Sequence, residues 1–92
     1  MYIVKYTSAY KKSYKLMIKR GLDMSALDFV VNQIRCGKKL DEKYRDYALS
    51  GIYEGFRECH IKPDWLLIYL IEDNILTLTL VDTGTHSDLF KK

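Results

Sequence analysis

Proline, cysteine, histidine and long apolar runs are all scarce in this chain, and each scarcity excludes something. One proline, five glycines and no low-complexity tract in 92 residues leave no room for a linker, a repeat array or a second domain. The two cysteines, Cys36 and Cys59, stand apart and match no metal-ligand spacing, so they are expected as reduced, buried thiols. The only histidines, His60 and His86, lack a companion Cys-x-x-Cys, and neither a metal centre nor a cofactor is expected. The longest apolar run, residues 65–71, is too short to cross a bilayer. The first residues lack the apolar segment and cleavage site of a secretory signal. These features predict a cytoplasmic protein without membrane contact.

What is present is a globular balance of 48% hydrophobic and 29% charged residues, enough for a single domain over 1–92 with one modest core. The net charge of +3 is unevenly spread. The first twenty residues hold Lys5, Lys11, Lys12, Lys15, Lys19 and Arg20 and no acid. Such a cluster suits phosphates or an acidic protein partner, although charge alone describes a solvated helix face equally well.

Residues 2–6 are β-branched and aromatic, a short strand. Thr7 or Ser8 then caps a helix whose apolar stripe is Tyr10, Tyr14, Met17 and Ile18, and Gly21 ends it. Ser25 is read as the cap of a second helix carrying Leu27, Val30, Val31 and Ile34, stopped at Gly37. Residues 38–51 read as polar and irregular. Residues 52–61 read as a strand with a bend or bulge at Gly55, and residues 65–71, apolar at both parities, as a strand covered on both faces. Leu76, Leu78 and Leu80 alternate with threonines in a half-buried strand, and a brief element closes on Leu89 and Phe90. The order β-α-α-β-β-β predicts an α+β fold, an antiparallel sheet with both helices on one face.

In such a meander His60, Asp64 and His86 fall at strand ends or turns that meet at one edge of the sheet. Histidine titrates near neutrality, so the pair suits proton transfer at a ribose 2′-hydroxyl and at a leaving 5′-oxygen. Two histidines in 92 residues are also an ordinary endowment of surface or hydrogen-bonded residues. Trp65 and Phe90 are the nearest aromatics. Bases of single-stranded RNA stack on such rings, but a tryptophan beside Leu and Ile more often belongs to the core. Mixed duty is expected of Trp65, and a functional ring of Phe90.

The segment 55–69, with its Arg57, His60, Pro63-Asp64-Trp65 and apolar strand ending in Tyr69, closely resembles the motif of YafQ-type toxins in the RelE superfamily. The ending Thr83-Gly84-Thr85-His86, followed by Leu89-Phe90, is similar to the C-terminal motif of the same family, and the likeness extends over the whole chain. The resemblance implies a RelE-like fold and a toxin that enters the ribosome and cuts messenger RNA without metal. It also implies neutralisation by a small acidic antitoxin. By position, His60, Asp64 and His86 are then the acid–base residues, with Tyr47, Arg57, Trp65 and Phe90 placing substrate. Lys11, Lys12, Lys15 and Lys19 are the expected RNA and ribosome contacts.

Two positions depart from the family pattern. Tyr47 stands where a histidine is usual, and tyrosine is a poor base at neutral pH. Asp82 stands where an arginine, a good phosphate clamp, is usual. Either Asp82 faces the phosphate, or it caps the Thr83-Gly84 turn or pairs with Arg57. Arg57 or a lysine such as Lys62 is then left to supply the cation. The competing readings are a noncatalytic RNA- or protein-binding module and a ParE-like gyrase inhibitor.

Overall fold

Thr7 begins the first helix as its place before an amphipathic run predicts. In the computed structural model, which describes residues 1–90, its hydroxyl accepts the Tyr10 amide at 2.9 Å. The strand before it is β1 (Ile3–Tyr6), and the helix is α1 (Ser8–Lys19), which buries Tyr10 and Met17. The second helix, α2 (Met24–Arg35), is capped by Asp23 rather than by Ser25: the Asp23 carboxylate accepts the Ser25 amide at 3.1 Å. Asp and Ser are equally good caps, so spacing alone does not choose between them. Leu27, Val30 and Ile34 of α2 are buried as the stripe predicts.

The segment expected to be irregular contains a 3₁₀ turn at Glu42–Tyr44 and a two-residue strand, β2 (Tyr47–Ala48). The strand expected over 52–61 is split. A 3₁₀ turn at Gly51–Tyr53 and Gly55, at φ 96°, turn the chain before β3 (Arg57–Lys62) begins. β4 (Trp65–Glu72), β5 (Thr77–Gly84) and a five-residue helix, α3 (His86–Phe90), complete the order.

The sheet runs β1-β5-β4-β3-β2. Its central pairs are antiparallel, as expected, but β1 lies parallel to β5, with Ile3 opposite Thr77 and Tyr6 opposite Leu80. The sheet is therefore mixed. A parallel pair needs a long connection, and here both helices and three strands intervene. Cys59, Leu67, Tyr69, Leu78 and Leu80 pack with the buried residues of α1 and α2 in one core cluster. Leu66 and Ile68, of opposite parity on β4, are buried outside that cluster, so both faces of β4 are covered. Both cysteines are free thiols. Among the described residues no helix is long and apolar enough to cross a membrane.

Candidate active site

The β3–β4 hairpin and the end of β5 lie side by side, because His60 is opposite Leu66 and Leu66 is opposite Gly84. Asp64 sits in the hairpin turn and His86 opens α3. One oxygen of the Asp64 carboxylate accepts both the His86 backbone N–H, at 3.0 Å, and the imidazole Nδ1–H, at 2.5 Å. The His86 amide, and then its ring, hold the Asp64 carboxyl below its ordinary range. A carboxylate ionised at neutral pH only accepts hydrogen bonds, so it keeps the His86 proton on Nδ1 and leaves Nε2 for exchange. About half of the His86 side chain is exposed.

His60 is buried on β3, its ring centroid 5.6 Å from that of His86 and 6.2 Å from that of Tyr47. His60 thus neighbours both other rings, and Tyr47 is half-exposed. The His60 Nδ1 is buried and has no hydrogen-bond partner among the described residues. A β-bulge between His60 and Lys62 breaks the pairing with β4 at this point.

The other candidates lie elsewhere or do other work. Trp65 is only 4% exposed; its indole N–H donates to the Thr83 hydroxyl at 3.0 Å, and that hydroxyl donates to the Leu66 carbonyl. The structure assigns Trp65 to the core rather than to mixed duty. Phe90 is half-buried, edge-on to Tyr53 at 5.6 Å, one helical turn beyond His86. Arg57 has the opposite parity to His60 and pairs with Asp46 at 3.4 Å, beside Tyr69. Asp82 accepts hydrogen bonds from the Ser13 hydroxyl at 2.5 Å and from the Thr83 amide at 2.8 Å. It is turned to α1, caps its own turn and does not pair with Arg57. Lys11, Lys12, Lys15 and Lys19 are exposed along α1.

Asp88 escaped the sequence reading although a signal was there. Thr85-Ser87-Asp88 around His86 is a Thr-x-x-Asp capping box. The Thr85 amide donates to Asp88 at 2.9 Å, and the Asp88 amide donates to the Thr85 hydroxyl at 3.1 Å. Arg20, the C-cap of α1, adds a salt bridge at 2.7 Å, so Asp88 ties α3, and His86 with it, to the end of α1. The Arg20 guanidinium, followed by the Thr85 amide, holds the Asp88 carboxyl well below the usual carboxylate range. Because the folded value is depressed, this stabilisation is present above the unfolded value of about 3.9 and is lost as pH falls through the folded one. Asp88→Asn is expected to cost about 1 kcal/mol at pH 7, solvent screening of Arg20 keeping it small. In urea melts, the gap between parent and variant should close progressively as pH falls below about 4.

Fold and site together define a small α+β protein that gathers two histidines and a carboxylate at the end of a sheet. The family model of the bacterial toxin of type II toxin–antitoxin systems, YafQ, matches residues 2–91. The chain belongs to the YafQ toxin family. It is 38% identical to the mRNA interferase toxin YafQ of Escherichia coli K12 over 88 residues, covering 95% of this chain and 94% of that one. A metal-bound toxin from Helicobacter pylori superposes with a TM-score of 0.92 at 40% identity, covering 98% of this chain and all of that one. In the crystal structure of the E. coli DinJ–YafQ complex the matching chain superposes with a TM-score of 0.88 at 34% identity, covering 98% of this chain and 99% of that one.

Proposed function

We propose that this chain is a ribosome-associated endoribonuclease that cleaves messenger RNA, arrests growth and is held inactive by a cognate antitoxin. The observation that carries the catalytic reading is the placement of His86, fixed by Asp64, beside His60. One histidine accepts the proton of the ribose 2′-hydroxyl as that oxygen attacks the adjacent phosphorus. The other gives a proton to the departing 5′-oxygen. Asp64 orients His86 and stabilises its imidazolium, since a carboxyl held below its normal range is a weak base. In this reading Tyr47 donates a hydrogen bond to the phosphate, and Phe90 packs against a base. The α1 lysines contact ribosomal RNA through its phosphates. The family membership and the DinJ–YafQ complex of the E. coli relative support an antitoxin partner.

The direct test is induction of the chain alone in a bacterial host. Growth arrest with fragmented messenger, both relieved by co-expressing a cognate antitoxin, is the expected result; intact messenger under arrest would point instead to a gyrase-type target.

Two histidines supply both proton transfers, so the reaction as written uses no metal. Among the described residues no three His, Cys, Asp or Glu side chains are grouped to hold one. The H. pylori relative is nonetheless metal-bound, which makes the question experimental. A chelator that strips copper and zinc while sparing magnesium, so that ribosomes stay assembled, is expected to leave cleavage unchanged. Loss of cleavage restored by either ion would overturn the metal-free mechanism.

A further inference from the structure

A phosphate needs a cation beside it, and Asp82 occupies the position where the family pattern has arginine while Arg57 is tied to Asp46, which leaves the lysines of this end of the sheet, Lys62 among them. A cleft of about 700 Å³ opens between the first turn of α2, the Glu42–Tyr44 turn and the β3–β4 hairpin. Lys43, Arg45 and Lys62 line it, and none of its lining residues is acidic. Nearby Asp23 and Asp41 spend their carboxylates on capping α2 and the Glu42–Tyr44 turn. His60 lines the same cleft and joins it to the site above; it is 93% buried, and its Nδ1 lacks a partner among the described residues. Phe29, 54% exposed on α2, supplies an aromatic wall.

Arg45 holds a left-handed backbone conformation, φ 45° and ψ 60°, which L-residues other than Asn and Asp rarely adopt. Strain of this kind gathers where a side chain must be presented in one direction. Cations that neutralise phosphates, beside a ring on which a base can stack, are the two elements of single-strand recognition.

We propose that this cleft is the track for single-stranded RNA leading to the scissile bond. Lys43, Arg45 and Lys62 hold its phosphates and Phe29 stacks a base. The assignment rests on the ribonuclease reading and names where that enzyme grips its substrate.

The probe is a short fluorescent single-stranded RNA made uncleavable by 2′-deoxyribose, titrated against the full chain over a range of salt. A Lys43→Gln, Arg45→Gly, Lys62→Gln variant is expected to bind at least about tenfold more weakly. Its log–log salt slope should be shallower by roughly 2, three phosphate contacts at about 0.7 each. Glycine accepts the Arg45 backbone, so Arg45→Gly alone serves if the triple variant does not fold, with a slope shallower by about 0.7. Phe29→Leu is expected to weaken binding several-fold at unchanged slope. Folded variants with the parent's affinity and slope would overturn the cleft while leaving the ribonuclease reading intact. A parent that neither binds this probe nor cuts a ribosome-bound all-ribose message would sink both.

Discussion

His86→Ala should slow messenger cleavage by about a hundred- to ten-thousandfold, the usual contribution of a positioned general acid or base, while leaving the protein folded. The side chain is half-exposed and its ring contacts Asp64 rather than the core, so its removal opens no cavity. Asp64→Asn separates orientation from proton transfer. An amide still accepts a hydrogen bond, but it no longer holds the proton on Nδ1 electrostatically, and about tenfold or more should be lost. Because the carboxylate also accepts the His86 amide, the Asp64→Asn protein should be checked for an intact α3 by its melting temperature. Wild-type rates for a folded His86→Ala protein would remove His86 from the mechanism.

Trp65→Ala is expected to be the most damaging change to the fold, at about 3–5 kcal/mol. The indole is buried in the main cluster, and its N–H satisfies the hydroxyl that links β5 to β4. Trp65→Phe fills most of the space and deletes only the hydrogen bond, so a loss of about 1 kcal/mol is expected. A stacking platform for RNA would behave oppositely. Both variants would melt like the parent, and the alanine variant would lose affinity for RNA. Urea denaturation of the three proteins, with m-values compared, distinguishes the two.

Alternation along the chain was enough to read most of the sheet. β4 is apolar at both parities, and both of its faces are indeed covered. Where alternation is interrupted, the reading failed for a physical reason. Ile68 faces Asp82 while Tyr69 faces Leu80, so Val81 is an extra residue in β5. That bulge resets the phase set by Leu78 and Leu80, and counting parity cannot place the Asp82 carboxylate against Ser13 of α1. β2 is two residues long, too short to carry a pattern, and its pairing is set by β3. The parallel placement of β1 is likewise a tertiary choice, since a strand of four residues reads the same in either direction.

The meeting of His60, Asp64 and His86 followed from the hairpin and from the order of the strands. The Asp88 anchor did not, because half of it is Arg20, 68 residues away in the sequence. Of the cleft's cations Lys62 was legible as a candidate, but its grouping with Lys43 and Arg45 was not. Lys43, Arg45 and Lys62 come from two segments that only the packing of the Glu42–Tyr44 turn against β3 brings together.

The central claim is that two histidines move protons to and from the ribose oxygens. Single-turnover cleavage of one message carrying a single 2′-deoxyribose at the cut position tests it directly. That nucleotide is expected to stay uncut, with all-ribose controls yielding 2′,3′-cyclic phosphate and 5′-hydroxyl ends. Cleavage at the deoxy position, or 5′-phosphate ends on the controls, would mean that water rather than the 2′-hydroxyl is the nucleophile and would contradict the mechanism.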